Sequence, residues 1–253
     1  MHVHIITVGA SIIINFKNQT KDPNIRSLIE NDKELLKRAT PANPLFQTVY
    51  QLLQKNPYNM SAELNAMKEY IEKGEVDEAY LYYTSTGTGK FCATILQTYL
   101  KNIGINTHPI EVKGFGIEFE EGLVNLLDAI TEKIIELKRR PNTQIYLNAT
   151  GGFKPENAML TIAASILGVE NIYYMHEKFK RAESLPIIPL TITPKYLKIL
   201  KTIKEQERKQ GFALKREIPE ANELISRNLI EESNGRIKLR KWTKIILKTT
   251  ETT

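Results

Sequence analysis

The residues best suited to chemistry lie in a glycine-rich loop, residues 148–156, which precedes a predicted helix. Gly151 and Gly152 free the backbone, Lys154 supplies a cation, and Pro155 fits the first turn of a helix. Lys154 therefore lies at the positive end of the helix dipole, where an anion would also meet backbone N–H groups. The alternative is a tight turn with a solvated lysine. We expect an anion-binding loop whose ligand contacts are Thr150, Gly151, Gly152 and Phe153.

A second loop, residues 84–90, reads Thr-Ser-Thr-Gly-Thr-Gly-Lys and superficially resembles a P-loop. The P-loop pattern G-x-x-x-x-G-K-[ST] is not met, because the first glycine is misplaced and Phe91 replaces the metal-binding hydroxyl. We therefore reject an ATPase. Backbone N–H groups at the start of the next helix could still bind a phosphate, and the alternative is a flexible turn. The residues that we expect to bind ligand here are Thr84, Ser85, Thr86 and Gly87.

A third loop, Gly9-Ala10-Ser11, follows the first predicted strand, His2–Val8. Gly9 lets the backbone approach a ligand closely, and Ser11 offers a hydroxyl and an N–H group. Small residues after a first strand are also common in α/β proteins that bind nothing there. Gly9 and Ala10 are nevertheless expected to bind the ligand.

Strand and helix signals alternate through residues 1–190, which predicts an α/β fold with an open, mostly parallel sheet and helices on both faces. Ligands of such sheets bind outside the carboxyl ends of the strands, where all three loops would lie. The later predicted strands are Ala79–Thr84, Ile105–Val112, Thr143–Asn148, Asn171–Met175 and Leu185–Leu190. The predicted helices are Ser61–Lys73, a helix ending near Asn102, Glu118–Arg140 and Glu156–Gly168.

The last quarter of the chain differs in charge and in pattern. Residues 191–253 contain 15 Lys and Arg against 8 Asp and Glu, whereas residues 1–190 contain 20 against 21. The pattern predicts a helix over Pro194–Lys209, one or two helices over Leu214–Asn228 and then a hairpin over Leu229–Leu239, turning at Asn-Gly. This order resembles a basic winged helix-turn-helix domain, with a boundary near Leu190–Pro194. We therefore predict two domains, 1–190 and 191–253.

The overall composition is that of an ordinary globular protein: 42% of the 253 residues are hydrophobic and 25% are charged. The longest apolar runs fall far short of the roughly 20 residues that span a bilayer, and the start of the chain lacks a signal peptide pattern. Cys92 is the single cysteine, so neither an internal disulfide nor a cysteine-based zinc site can form. We expect a cytoplasmic protein without a cofactor.

The motifs Gly9-Ala10-Ser11 with Ile12–Phe16, and Thr150-Gly151-Gly152-Phe153-Lys154-Pro155-Glu156, resemble the CARF-domain proteins of type III CRISPR systems. The closest resemblance is to the archaeal CRISPR ring nucleases, which join a CARF domain to a C-terminal winged helix. It implies a homodimer of Rossmann-like CARF domains that binds cyclic tetraadenylate across its two-fold axis. It also implies metal-independent cleavage of the ring, which ends antiviral signalling, with Ser11 and Lys154 as the catalytic residues.

The chemistry of the residues is compatible with this resemblance. RNA carries its own nucleophile, the 2′-hydroxyl, so an enzyme needs only to hold that oxygen in line and to stabilise charge on the phosphoryl oxygens. Lys154 suits the second role, and Ser11 with the glycine N–H groups suits the first. The alternative is a sensor that binds cyclic oligoadenylate without cleaving it and regulates transcription through a basic wing: Arg236, Lys238, Arg240, Lys241 and Lys244. Residues 191–253, called the tail from here on, could instead serve in dimerisation or as a lid; residues 1–190 are called the body.

Overall fold

A six-stranded sheet forms the centre of the larger part of the protein. The computed structural model describes residues 1–115, 119–152, 154–176 and 181–250, with the backbone alone at Phe119 and Lys154. The strands lie in the order β3-β2-β1-β4-β5-β6, and β6 alone runs antiparallel to its neighbour. Their bounds are β1 His2–Thr7, β2 Glu78–Thr84, β3 Asn106–Val112, β4 Gln144–Asn148, β5 Asn171–His176 and β6 Arg181–Leu185. This confirms the predicted α/β class and its mostly parallel sheet.

The chain order of the strands reverses at β1, because β2 and β3 extend the sheet to one side and β4 and β5 to the other. Open α/β sheets bind ligands in the crevice at such a reversal, outside the carboxyl ends of the strands. The loops after β1 and β4 are therefore neighbours, and the loop after β2 lies next to them.

Helices cover both faces of this sheet. Leu81 and Ile6 contribute to one core cluster with α1, α4, α6 and α7, while Ile5 and Tyr82 contribute to the other with α8 and α9. Alternate residues of a strand point to opposite faces, which is why Ile5 and Ile6 enter different clusters. The helices are α1 Ser11–Gln19, α2 Pro23–Glu30, α3 Asp32–Arg38, α4 Pro44–Lys55, α5 Pro57–Met60, α6 Ala62–Glu72, α7 Gly87–Asn102, α8 Phe119–Lys138 and α9 Lys154–Leu167.

Before residue 194 the structure departs from the sequence prediction at the edge strand and in the segment between α1 and α6. The predicted strand Leu185–Leu190 is wrong, because the edge strand ends at Leu185 and residues 186–193 have no regular structure. Pro186 and Pro189 lack the N–H group that a strand ladder requires. The prediction also omitted α2 to α5, although side chains of Asp22, Asn31 and Asn43 cap three of these short helices.

The tail forms its own core around a three-stranded antiparallel sheet in the order β7-β9-β8. The predicted hairpin is confirmed, and both Asn234 and Gly235 at its turn have positive φ. In the segment Leu214–Asn228, for which the pattern predicts one or two helices, the structure has a 3-10 turn over Lys215–Glu217 and one short helix. The elements are α10 Pro194–Gln210, β7 Ala213–Leu214, α11 Ala221–Ser226, β8 Ile230–Ser233, β9 Arg236–Leu239 and α12 Lys241–Thr249.

Helix α12 joins the tail to the body of the protein. Leu247 packs in the tail core, whereas Ile245 and Trp242 pack against the cluster that contains α8 and α9. The ammonium of Lys248 pairs with Asp128 and Glu132 on α8. No helix of the described residues is long and apolar enough to cross a membrane.

The histidine of the central strand is a core residue. His4 is fully buried; its Nε2 lies 2.9 Å from the carbonyl oxygen of Glu75 and its Nδ1 lies 2.7 Å from the hydroxyl of Tyr173. A carbonyl can only accept, so Nε2 carries the proton and Nδ1 accepts from Tyr173. Burial lowers the pKa of His4 to about 4.

We predict that the free energy of unfolding falls on acidification between pH 6.5 and pH 4. In this range His4 is protonated in the unfolded chain but stays neutral in the native protein. The native pKa lies below the unfolded value, so the stabilisation is complete above pH 6.5 and is lost progressively towards pH 4. This difference between the native and the unfolded pKa corresponds to a loss of roughly 3 kcal/mol in the free energy of unfolding. Urea unfolding at several pH values should show this dependence in the wild type and in His2→Gln, but not in His4→Gln. An unchanged dependence in His4→Gln would contradict the assignment.

Candidate functional site

The loops that follow β1 and β4 are in direct backbone contact. The N–H of Gly151 donates to the carbonyl of Thr7 at 3.2 Å, and the hydroxyl of Thr7 donates to the carbonyl of Gly151 at 2.7 Å. A Cβ at residue 151 would lie 2.5 Å from the amide nitrogen of Gly9, closer than real Cβ atoms approach. Glycine is therefore required at this position so that the two loops can meet.

A buried carboxylate lies beneath the loop after β1, residues 9–11, which is called the first loop from here on. Glu63 is only 2% exposed, and its two oxygens accept hydrogen bonds at 2.8 Å from the N–H of Gly9 and from the hydroxyls of Ser11 and Ser61. Its backbone carbonyl accepts from the side-chain amide of Asn148, the last residue of β4. Glu63 thus connects the first loop, the start of α6 and the end of β4.

The first turn of α7 is held by protein groups. The carboxylate of Asp32 accepts from the N–H of Gly87 at 2.7 Å and from the N–H of Thr88 at 2.8 Å. The hydroxyl of Thr86 accepts from the N–H of Gly89 at 2.9 Å. Burial alone would raise the pKa of Asp32, but the hydrogen bonds from Gly87 and Thr88 outweigh it and hold the pKa below its ordinary value of 3.8. A ligand phosphate would have to displace Asp32 to reach these N–H groups.

The first turn of α1 is different, because its N-cap residue is Ala10, which has no side-chain acceptor, although the N–H of Ile13 bonds to the buried thiol of Cys92. Its N-terminal N–H groups follow Ala10, which lines a cleft of about 310 Å³ at the carboxyl ends of the strands. Backbone N–H groups without intrahelical partners make the start of a helix electropositive. The lining residues are Val8, Gly9, Ala10, Thr84, Thr86, Thr88, Gly89, Phe115 and Gly152.

The structure brings residues of all three predicted loops to this one cleft. Gly9, Ala10, Thr84, Thr86 and Gly152 line it directly. The loops therefore converge as the strand order requires.

Other predicted residues adjoin the residues that line the cleft. Ser11 is partly buried and bonded to Glu63, while Gly151 is buried against the first loop. The hydroxyl of Thr150 donates to the side chain of Asn148 at 2.5 Å and accepts from the N–H of Met175 at 3.0 Å. Gly87 is buried against α3, and Ser85 is exposed.

Two predicted residues cannot be placed in full. Phe153 lies outside the described residues, and for Lys154 only the backbone is described, as the first residue of α9. Lys154 therefore begins a helix, as its neighbour Pro155 predicted.

Sequence reasoning missed Glu63, Asp32 and Phe115. Ser61 at the N-cap of α6 signalled that a helix begins there, but nothing signalled that the carboxylate two residues later would turn inward. Asp32 reaches the start of α7 from a helix 55 residues earlier in the chain. Among the described residues, no group of three or more His, Cys, Asp or Glu side chains is arranged to hold a metal ion.

We predict that Asp32 stabilises the fold through the first turn of α7. Asp32→Ala removes the acceptor of two backbone N–H groups and should lower the free energy of unfolding by about 1–2 kcal/mol. Because the native pKa of Asp32 is depressed, its contribution is present above its unfolded pKa and is lost as the pH falls through the native value. Urea unfolding at neutral and acidic pH measures both effects. The exposed neighbour Lys33 provides the control variant Lys33→Ala, and equal stability of the two variants would contradict the prediction.

A comparison with protein families gives a match over residues 58–188 to the model of the CRISPR-associated protein family Cas_APE2256. The match spans just over half of the 253-residue chain. It includes α6 with Glu63, strands β2 to β6, and the loops after β2 and β4. The first loop and the tail lie outside it. The match shows that this chain belongs to the Cas_APE2256 family of CRISPR-associated proteins.

Proposed function

We propose that this CRISPR-associated protein is a ring nuclease of the CARF type, which binds cyclic tetraadenylate and opens it without a metal ion. The observation that carries the proposal is the convergence of the three loops on one cleft at the point where the strand order reverses. A cleft walled by glycine backbone at residues 9, 89 and 152 admits a phosphodiester closely. Opening the ring would end type III CRISPR signalling.

The reaction requires little covalent chemistry from the protein. The ribose 2′-oxygen forms a bond to the adjacent phosphorus while the bond from phosphorus to the 5′-oxygen breaks. The proton that the 2′-hydroxyl loses balances the proton that the 5′-oxygen gains, and the product is a linear oligoadenylate. Ser11 orients the attacking hydroxyl, and Lys154 at the start of α9 stabilises the negative charge that develops on the phosphoryl oxygens.

The N–H groups available to the phosphate differ between the loops. Those of Gly9 and Gly151 are bonded to Glu63 and Thr7, and those at the start of α7 are bonded to Asp32 and Thr86. The uncapped first turn of α1 is therefore the better partner for a phosphate oxygen. A two-fold ring would meet this arrangement twice in the homodimer that we also propose.

We predict that the purified protein converts cyclic tetraadenylate into linear products in the presence of EDTA. Lys154→Ala should slow single-turnover cleavage by about 10²–10³-fold and should also weaken binding, because charge is left uncompensated in both the ground state and the transition state. Ser11→Ala should slow cleavage more than it weakens binding. Cleavage is followed with radiolabelled ring, and binding by titration.

The control is Lys90→Ala, which removes a lysine whose ammonium donates to the hydroxyl of Tyr83. It should leave cleavage within a few-fold of the wild type, as an ordinary substitution away from the reacting atoms does. Wild-type cleavage by Lys154→Ala would remove that lysine from the mechanism. Tight ring binding by the wild type without any product would replace the nuclease with the sensor.

The tail favours a second candidate function, a regulator that senses the ring and binds DNA. Its order of helices and its three-stranded antiparallel sheet suit a winged helix. Arg236, Lys238 and Lys241 are exposed, and no carboxylate of the described residues forms an ion pair with them. Lys244 pairs with Glu207, and Arg240 lies 3.7 Å from Glu120, so these two belong to internal contacts.

If the tail binds DNA, the affinity should fall steeply with salt through release of counterions. The triple variant Arg236→Ala/Lys238→Ala/Lys241→Ala should abolish the shift in a native gel and reduce the slope of log affinity against log salt by about 3. The variant Lys21→Ala/Lys33→Ala/Lys55→Ala removes the same charge from exposed positions on the body and should keep the shift. Absence of a shift at low salt in the wild type would favour a lid or a dimerisation role.

A further inference from the structure

Glu63 is a buried carboxylate whose side-chain hydrogen bonds come from the loop after β1 and from the start of α6. It accepts from the backbone of Gly9 and from the hydroxyls of Ser11 and Ser61, and no cationic side chain of the described residues forms an ion pair with it. Burying an uncompensated charge is costly, so hydrogen bonds must replace the water that it loses. The start of α6, where Glu63 occupies the first turn, adds the positive end of a helix dipole.

These contacts determine which way the Ser11 hydroxyl points. A serine hydroxyl has one proton to donate and two lone pairs that accept. The proton is donated to Glu63 at 2.8 Å, and one lone pair accepts from the N–H of Ala62 at 3.1 Å. One lone pair is left, so Ser11 can accept one further hydrogen bond but has no proton for a phosphate oxygen.

We propose that Glu63 is a positioning residue for ring opening, because it takes the proton of Ser11 and so makes the Ser11 oxygen an acceptor for the attacking 2′-hydroxyl. This inference rests on the proposed nuclease function and specifies how Ser11 takes part in it. An acceptor on Ser11 directs the 2′ O–H bond away from phosphorus and leaves a lone pair of the 2′-oxygen to face it. A serine that donated to the phosphate would leave the nucleophile without this orientation.

Tethering the loop alone would not require a carboxylate. The side-chain amide of Asn148, which donates to the carbonyl of Glu63, and the backbone of Gly151, which bonds to Thr7, already hold the region, and α6 is capped by Ser61. A carboxylate differs from an amide in one respect that matters here: both of its oxygens accept. Glutamine at this position would direct its NH2 group towards either Gly9 or Ser11. The N–H of Gly9 belongs to the backbone and cannot turn away, whereas the Ser11 hydroxyl can. We therefore expect the NH2 group to face Ser11 and to reverse the direction of that hydrogen bond.

The test compares Glu63→Gln with the wild type in single-turnover cleavage and in ring binding. Reorientation of the Ser11 hydroxyl should slow cleavage by about 10²-fold, the cost of a misplaced reacting group, while the dissociation constant of the ring stays at the wild-type value. Glu63→Asp keeps the charge but shortens the reach by one methylene group and should also be slow. It provides the measurement if Glu63→Gln does not fold, as monitored by its thermal unfolding midpoint.

The matched control is Ser61→Ala. It removes another hydrogen bond to the same carboxylate and the cap of α6, so it should lower the thermal unfolding midpoint. The Ser11 to Glu63 hydrogen bond stays intact in this variant, so cleavage should stay close to the wild-type rate. Equal slowing by Ser61→Ala and Glu63→Gln would overturn the proposal in favour of a structural role.

A double variant separates action through Ser11 from general damage. If Glu63 acts through Ser11, Ser11→Ala/Glu63→Gln should cleave no more slowly than Ser11→Ala alone. Multiplying effects, or wild-type cleavage by Glu63→Gln, would overturn the proposal while leaving the nuclease function in place. A wild-type protein that binds the ring and forms no product would instead refute the nuclease function, and this inference would fall with it.

Discussion

The close approach of the loops after β1 and β4 is the constraint on which the candidate site depends. The backbone at Gly151 lies so near to that of Gly9 that no side chain fits between them. Parallel pairing of β1 with β4 brings the loops to this distance, and the hydrogen bonds between Thr7 and Gly151 hold them there. Glu63 then fixes the first loop from below through Gly9 and Ser11. The site is therefore an outcome of sheet register combined with one buried carboxylate.

Among the helices that begin at the cleft, α1 and α7 differ in how their N-terminal N–H groups are bonded. At α7 the carboxylate of Asp32 and the hydroxyl of Thr86 occupy the N–H groups, so the positive end of the helix is already compensated. At α1 the N-cap residue is Ala10, which offers no side-chain acceptor, and no carboxylate of the described residues bonds to the first turn. An anion that enters the cleft meets less competition at α1, because at α7 it must replace a carboxylate that is already bound. Under the proposed function, we therefore expect the phosphate to lie nearer to Ser11 than to the loop after β2.

The tail is attached to the body through α12. Helix α12 packs on α8 and on α9, and α9 begins at Lys154. Ile245 enters the core of the body while Leu247 of the same helix enters the core of the tail. One helix thus shares its two faces between both parts of the protein, and the ion pairs of Lys248 with Asp128 and Glu132 reinforce the contact.

The sequence by itself determined the α/β class, strands β1 to β5, helices α6 to α9, the hairpin at Asn234-Gly235 and the three loops of interest, because periodicity and turn residues act locally. It did not determine the edge strand, the short helices α2 to α5, or the partners of the loops. Asp32 meets Gly87, and Glu63 meets Gly9 and Ser11, across more than 50 residues of chain. Such contacts leave no local pattern, since an exposed acidic residue and a buried one look alike in a sequence. Only the tertiary structure decided that one carboxylate would cap α7 and that the other would orient Ser11.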